Sequence, residues 1–252
     1  MKKLKHAIIY MCVAATVAAG ALFPSLAAHV QDSSVIGSID SSPIRKVSLS
    51  INQLHPLEKL SLLVTSTGSS LSISADRASL SEDEVAEIVY KVIQQYSDIG
   101  LIPYIEQSQC TVQQLPFLRY GINTTTQSEQ SNIFWQTSTR IDFDSGTASL
   151  YLIIDDETGS VFSISYSSPV PLYSESSWTD LINIFSDTFI SGAGLSEGTE
   201  EISSEFSGNS ILARYSWYDI TSGEIRLEFL LSEYGIHADA YVFSEGDYES
   251  IY

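Results

Sequence analysis

The sequence predicts an α+β fold: two helix-plus-antiparallel-sheet units behind an N-terminal export segment. Three observations carry that expectation. The first 28 residues form an apolar run behind three lysines. Two helical patterns, opening near Ser81 and Ser177, are each followed by runs of alternating apolar and polar residues, the signature of a helix laid on a small sheet. Finally, residues 145–166 and 222–243 match in outline: an opening Ser-Gly, an apolar strand, an acidic turn with glycine offset by one position, and a returning strand. An internal duplication is the expectation. The alternative is that two unrelated helix-plus-hairpin stretches look alike by composition.

Lys2, Lys3 and Lys5 precede residues 7–28, which carry no charged side chain. This is a basic n-region and an apolar h-region. No basic residue follows until Arg45, so the charge bias places residues 30–252 outside the membrane. Ser25-Leu26-Ala27 offers small residues for cleavage after Ala27, just beyond Gly20 and Pro24. A run of about 20 apolar residues also suffices to span a bilayer. Residues 1–28 are therefore a signal peptide or an uncleaved membrane anchor, and the chain is secreted or held at the cell surface by one N-terminal segment. Cys12 follows Tyr10 and Met11 rather than small residues, which argues against a lipid anchor.

Without residues 1–27, nine of the 12 Lys and Arg face all 31 Asp and Glu, a formal charge of −22. Such a surface repels nucleic acid and anionic headgroups. It keeps an extracellular domain dispersed, or it attracts cations or a basic partner. The exported part has one cysteine, Cys110, and so no internal disulfide. An apolar content of 44%, with 14 Tyr and 10 Phe, supplies the core instead.

Residues 29–46 are rich in serine and lack a period, as in a linker. Residues 47–80 hold a short helix opening at Pro56, with Leu57, Leu60 and Leu63 on one side, and a strand over Leu71–Ala75. The first unit spans residues 81–170. Its helix opens on the capping box Ser81-Glu82-Asp83-Glu84, carries an apolar stripe from Val85 to Tyr96 and stops at Gly100. Strands follow over Thr111–Tyr120, Asn132–Asp142, Ala148–Asp155 and Val161–Tyr166, the last two joined by a turn closing on Gly159. The second unit, residues 171–252, opens with a helix capped by Ser177, striped by Trp178, Leu181, Ile182, Phe185 and Phe189. Its strands are Ser210–Tyr218, Ile225–Leu231 and Ala238–Phe243.

Phe134-Trp135-Gln136, followed by the run from Leu150 to Ile164 with Asp155-Asp156-Glu157-Thr158-Gly159 at its turn, resembles the PepSY family of exported bacterial domains. The resemblance covers about residues 82–166 and reaches the second unit only faintly, because Ser232-Glu233-Tyr234-Gly235 lacks the Asp and Thr. The chain also resembles uncharacterised exported proteins of Gram-positive bacteria. These resemblances imply PepSY-like or cystatin-like units and non-catalytic work at the cell envelope, with an envelope protein or peptide as partner.

Gly194-Leu195-Ser196-Glu197-Gly198 fits G-x-S-x-G, with His237 downstream as a base. It follows a helix, however, rather than sitting on a strand-to-helix turn. The four histidines, at 6, 29, 55 and 237, are scattered, and Cys110 has no partner at zinc spacing. Asp142, Asp144, Asp155, Asp156 and Glu157 supply oxygen ligands for calcium, but Asp142–Gly146 lacks the later glutamate of a calcium loop. The sequence thus assigns no catalytic, cofactor-binding or metal residues. It favours an exported binding or regulatory ectodomain over two alternatives, an extracellular hydrolase and a cation-dependent structural surface protein.

Overall fold

Strands dominate the structure, a computed structural model that describes residues 54–64, 69–122, 129–173, 177–195, 205–207, 210–219 and 223–243. All of these lie in the unit Leu49–Tyr252. The export segment, the serine-rich linker and Ser196 fall outside the described residues. Three α-helices are described: α1 (Pro56–Val64), α2 (Glu82–Asp98) and α3 (Trp178–Gly192). The strands are β1 (Ser69–Ser72), β2 (Cys110–Ile122), β3 (Glu129–Phe143), β4 (Gly146–Asp155), β5 (Val161–Ser167), β6 (Glu205–Ser207), β7 (Ser210–Asp219), β8 (Gly223–Ser232) and β9 (Gly235–Phe243). They form one antiparallel sheet in the order β1-β2-β3-β4-β5-β9-β8-β7-β6.

That order corrects the expectation of two helix-plus-sheet units, whether PepSY-like or cystatin-like. The outer strands of the two predicted units, β5 and β9, pair from Ile164↔Ala238 to Ser167↔Gly235, so the sheet runs on without a break. Two separate sheets would leave both edges with unpaired backbone groups, and fusion satisfies them. The side chains agree with the pairing. Ile164 and Tyr166 lie opposite Ala238 and Ile236 on one buried face. Gly235 permits the approach, because a Cβ there would overlap the Tyr166 carbonyl oxygen.

Both long helices cover that same face. Val85, Val89, Val92, Ile93 and Tyr96 of α2 are buried, as are Trp178, Ile182, Phe185 and Phe189 of α3. Each contributes roughly 1.5–3 kcal/mol by leaving water. The Tyr96 and Phe185 rings meet edge to face at 6.0 Å, joining the helices, and Phe185 and Phe189 both rest on Phe229 of β8. Beneath them lie Trp135 and Ile141 of β3 and the alternating Ala148, Leu150, Leu152 and Ile154 of β4.

The helix ends follow local chemistry. Ser81 accepts the Glu84 amide and Glu84 reaches back to the Ser81 amide, forming the predicted capping box, while Gly100 takes φ +77 after the last turn. Ser177, by contrast, is itself in the helical region and makes no side-chain cap, so the predicted cap of α3 is not formed.

The opposite face is covered by α1 alone among the described helices, over β2, β3 and β9. Its buried residues are Lys59, Leu60, Ser61 and Leu62, and Leu57 and Leu63 of the expected stripe pack, partly buried, against the core beside Leu60. Lys59 is buried as an ion pair with Asp155. The predicted strand over Leu71–Ala75 ends at Ser72, and a 3-10 turn at Ala75–Arg77 leads to α2.

Candidate functional site

Two features are built for contact or anchoring: the β4–β5 turn with its buried charges, and the outer edge of β2. The turn residues Asp155-Asp156-Glu157-Thr158-Gly159 all serve as anchors. The Asp155 carboxylate accepts Asn132 Nδ2 at 2.7 Å, Lys59 Nζ at 2.7 Å, and the Thr158 hydroxyl and amide at 2.6 and 3.0 Å. Asp156 faces elsewhere and accepts the Ser79 and Leu80 amides and the Trp135 indole N–H at 2.7, 3.0 and 2.8 Å. It thereby fixes the chain just before α2. Gly159 closes the turn at φ +71 and donates its amide to the Asp155 carbonyl.

Lys59 reaches this turn from α1 and also donates to Glu157 at 2.7 Å. Burial pushes the ammonium pKa down, but the hydrogen bonds to Asp155 and Glu157 outweigh it and hold the pKa above the ordinary lysine value. The lysine is thus charged, paired and buried, and it ties α1 to the sheet.

The outer edge of β2 has a different character. β1 pairs with β2 only from Tyr120 to Phe117, and Ile73 extends this by donating to the Pro116 carbonyl. Because the Pro116 carbonyl points outward, strand alternation turns the backbone groups of Gln114 and Val112 the same way. Among the described residues no strand pairs with that stretch. Leu115 beside it is 73% exposed. Acids line the approach: Glu82, Asp83 and Glu84 open α2, and Gln114 Nε2 donates to the Glu82 carbonyl at 2.6 Å.

The residues weighed for catalysis and metals are dispersed. His237 lies on β9 between Ser165 and Leu230, and Ser196 is outside the described residues. Asp142 is held by Arg140 and Thr147 at 3.0 Å each, which lowers its carboxyl below the usual range, whereas Asp155, Asp156 and Glu157 belong to the turn network. Among the described residues no group of three His, Cys, Asp or Glu is placed to hold a metal ion. The Cys110 thiol is pushed up by burial, which keeps it protonated and a poor nucleophile.

Lys59 and Asn132 are the residues that sequence reasoning missed. The available signal was a lysine inside a leucine-rich helix, together with acids that stop at one turn. Comparison with known protein families, curated proteins and solved structures finds no match for this chain.

Proposed function

We propose that this chain is a non-catalytic binding or regulatory ectodomain at the cell envelope, which captures an extended, basic peptide segment of an envelope protein. The carrying observation is the β2 edge, where Val112 and Gln114 offer outward backbone groups with no strand against them among the described residues. Strand addition at such an edge draws affinity from main-chain hydrogen bonds. The charge of the whole chain, −19, and the acids opening α2 favour a basic partner. The three lysines ahead of the apolar run support an address outside the membrane.

The test uses residues 30–252 and a set of extended Lys- and Arg-containing peptides. A bound peptide slows amide exchange at Val112 and Gln114. The V112P variant removes an outward N–H at an edge position that tolerates proline, so it keeps the fold and loses binding by ten-fold or more. Undiminished binding to V112P, or no protection by any basic peptide, overturns the reading.

A further inference from the structure

Beneath α1 lies a cavity of about 320 Å³, at the lower end of the roughly 300–1,000 Å³ found for small-molecule pockets. Its roof is Leu60, Leu63 and Val64; its floor is Phe117, Ile153 and Phe162. It stays open because α1 is held at both ends by polar ties. Lys59 is fixed to Asp155 and Glu157, and Arg119 of β2 donates to the Leu63 carbonyl. A helix held in this way cannot settle onto the floor and close the gap.

The polar groups of the wall decide what fits. Arg119 keeps its charge but directs it at the C-terminal turn of α1, where it donates to the Leu63 carbonyl. Asp239, on β9, is exposed, and among the described residues its carboxylate accepts only the Ala240 amide, at 2.9 Å. Its cross-strand neighbour Glu228 is paired with Arg214 at 2.8 Å. Besides Arg119, turned to the helix end, the mouth therefore carries one carboxylate that no described residue pairs, beside an apolar interior.

We propose that this cavity binds an extended apolar chain ending in a cation, an alkylammonium group, with the chain under α1 and the charge at Asp239. A free alkylamine and the lysine side chain of a peptide share that chemistry. The strongly acidic chain draws either one in.

Calorimetry on residues 30–252 tests this with butyl-, hexyl- and octylammonium, octanoate, octanol and a blocked leucyl-lysine dipeptide. Ammonium affinity is expected to rise roughly four-fold per methylene until the cavity fills. Octanoate binds at least ten-fold more weakly than octylammonium, and D239N brings octylammonium down to the octanol level. The dipeptide binding more tightly than butylammonium identifies a peptide as the source; the reverse identifies a small amine.

S163F places a ring in the cavity from a half-buried wall position and abolishes binding while the circular dichroism spectrum is kept. Ammonium binding that survives S163F, or octanoate binding as well as octylammonium, overturns the proposal. V112P leaves this binding unchanged, so failure here and failure at the β2 edge are told apart.

Discussion

At the scale of single residues, the buried charges around Lys59 tie α1 to the sheet. Lys59 is 2% exposed and Asp155 is fully buried, so neither recovers hydration if its partner is lost. Removing one member of such a pair leaves an uncompensated charge and costs about 3–5 kcal/mol. K59M is therefore expected to lose that much in urea unfolding. The double variant K59M/D155N recovers part of it, because the amide that replaces the Asp155 carboxylate brings no charge to bury, while its Nδ2 must face a donor, Asn132 or Thr158. Glu157, whose side chain is 35% exposed, contributes less, since water screens it. An unchanged urea midpoint for K59M would show that Asp155 does not depend on the lysine. Trp135 plays a similar part for Asp156, supplying the indole N–H that the two backbone amides leave room for.

At the scale of elements, the junction between β5 and β9 decides the architecture, and Gly235 decides the junction. A methyl group there meets the backbone of Tyr166 and Ser167, which cannot rotate aside as a side chain would. G235A is expected to destabilise by about 1–3 kcal/mol and to speed amide exchange in β5 and β9 before the rest of the sheet. Uniform exchange, or no loss of stability, would mean that the junction yields easily. The same junction marks the limit of what the sequence makes legible. Helix α2 was legible from Ser81, Glu84 and Gly100, because capping is chemistry between near neighbours. The strands were legible from period-two alternation, as in Ile211, Ala213, Tyr215 and Trp217, all buried. Which strand pairs with which depends on contacts some 70 residues apart, as between Tyr166 and Ile236, and alternation alone carries no such information. The candidate surface was less legible still. The edge of β2 is defined by where β1 stops, and Lys59 is defined by a turn far along the chain.

At the scale of the whole molecule, stability depends on pH unequally on the two sides of neutrality. On the acid side the perturbed carboxylates among the described residues are Glu84, lowered by its bonds to Ser81, and Asp142, lowered by Arg140 and Thr147. Both are exposed, and their contribution is present above the unfolded values and fades as pH falls through the folded ones. On the alkaline side the groups are buried. Burial pushes Tyr166 up to about 12 from an ordinary 10.0. Tyr96 and Tyr173 are raised by burial as well, and Lys59 is raised by its two carboxylate partners against the opposing effect of burial. Each of these folded values lies above its unfolded counterpart, so the stability they confer is complete below about pH 10 and is lost as pH climbs through the folded values. Ionising a buried tyrosine requires the core to open, and losing the Lys59 proton frees α1 at the same time. The expected outcome is a level stability from neutrality to about pH 10, then a steep fall in which tyrosinate absorbance and loss of sheet circular dichroism advance together. Full tyrosine ionisation near pH 10 with the sheet intact would refute the coupling. In K59M the step is expected to begin at lower pH, because α1 is already untied from the β4–β5 turn.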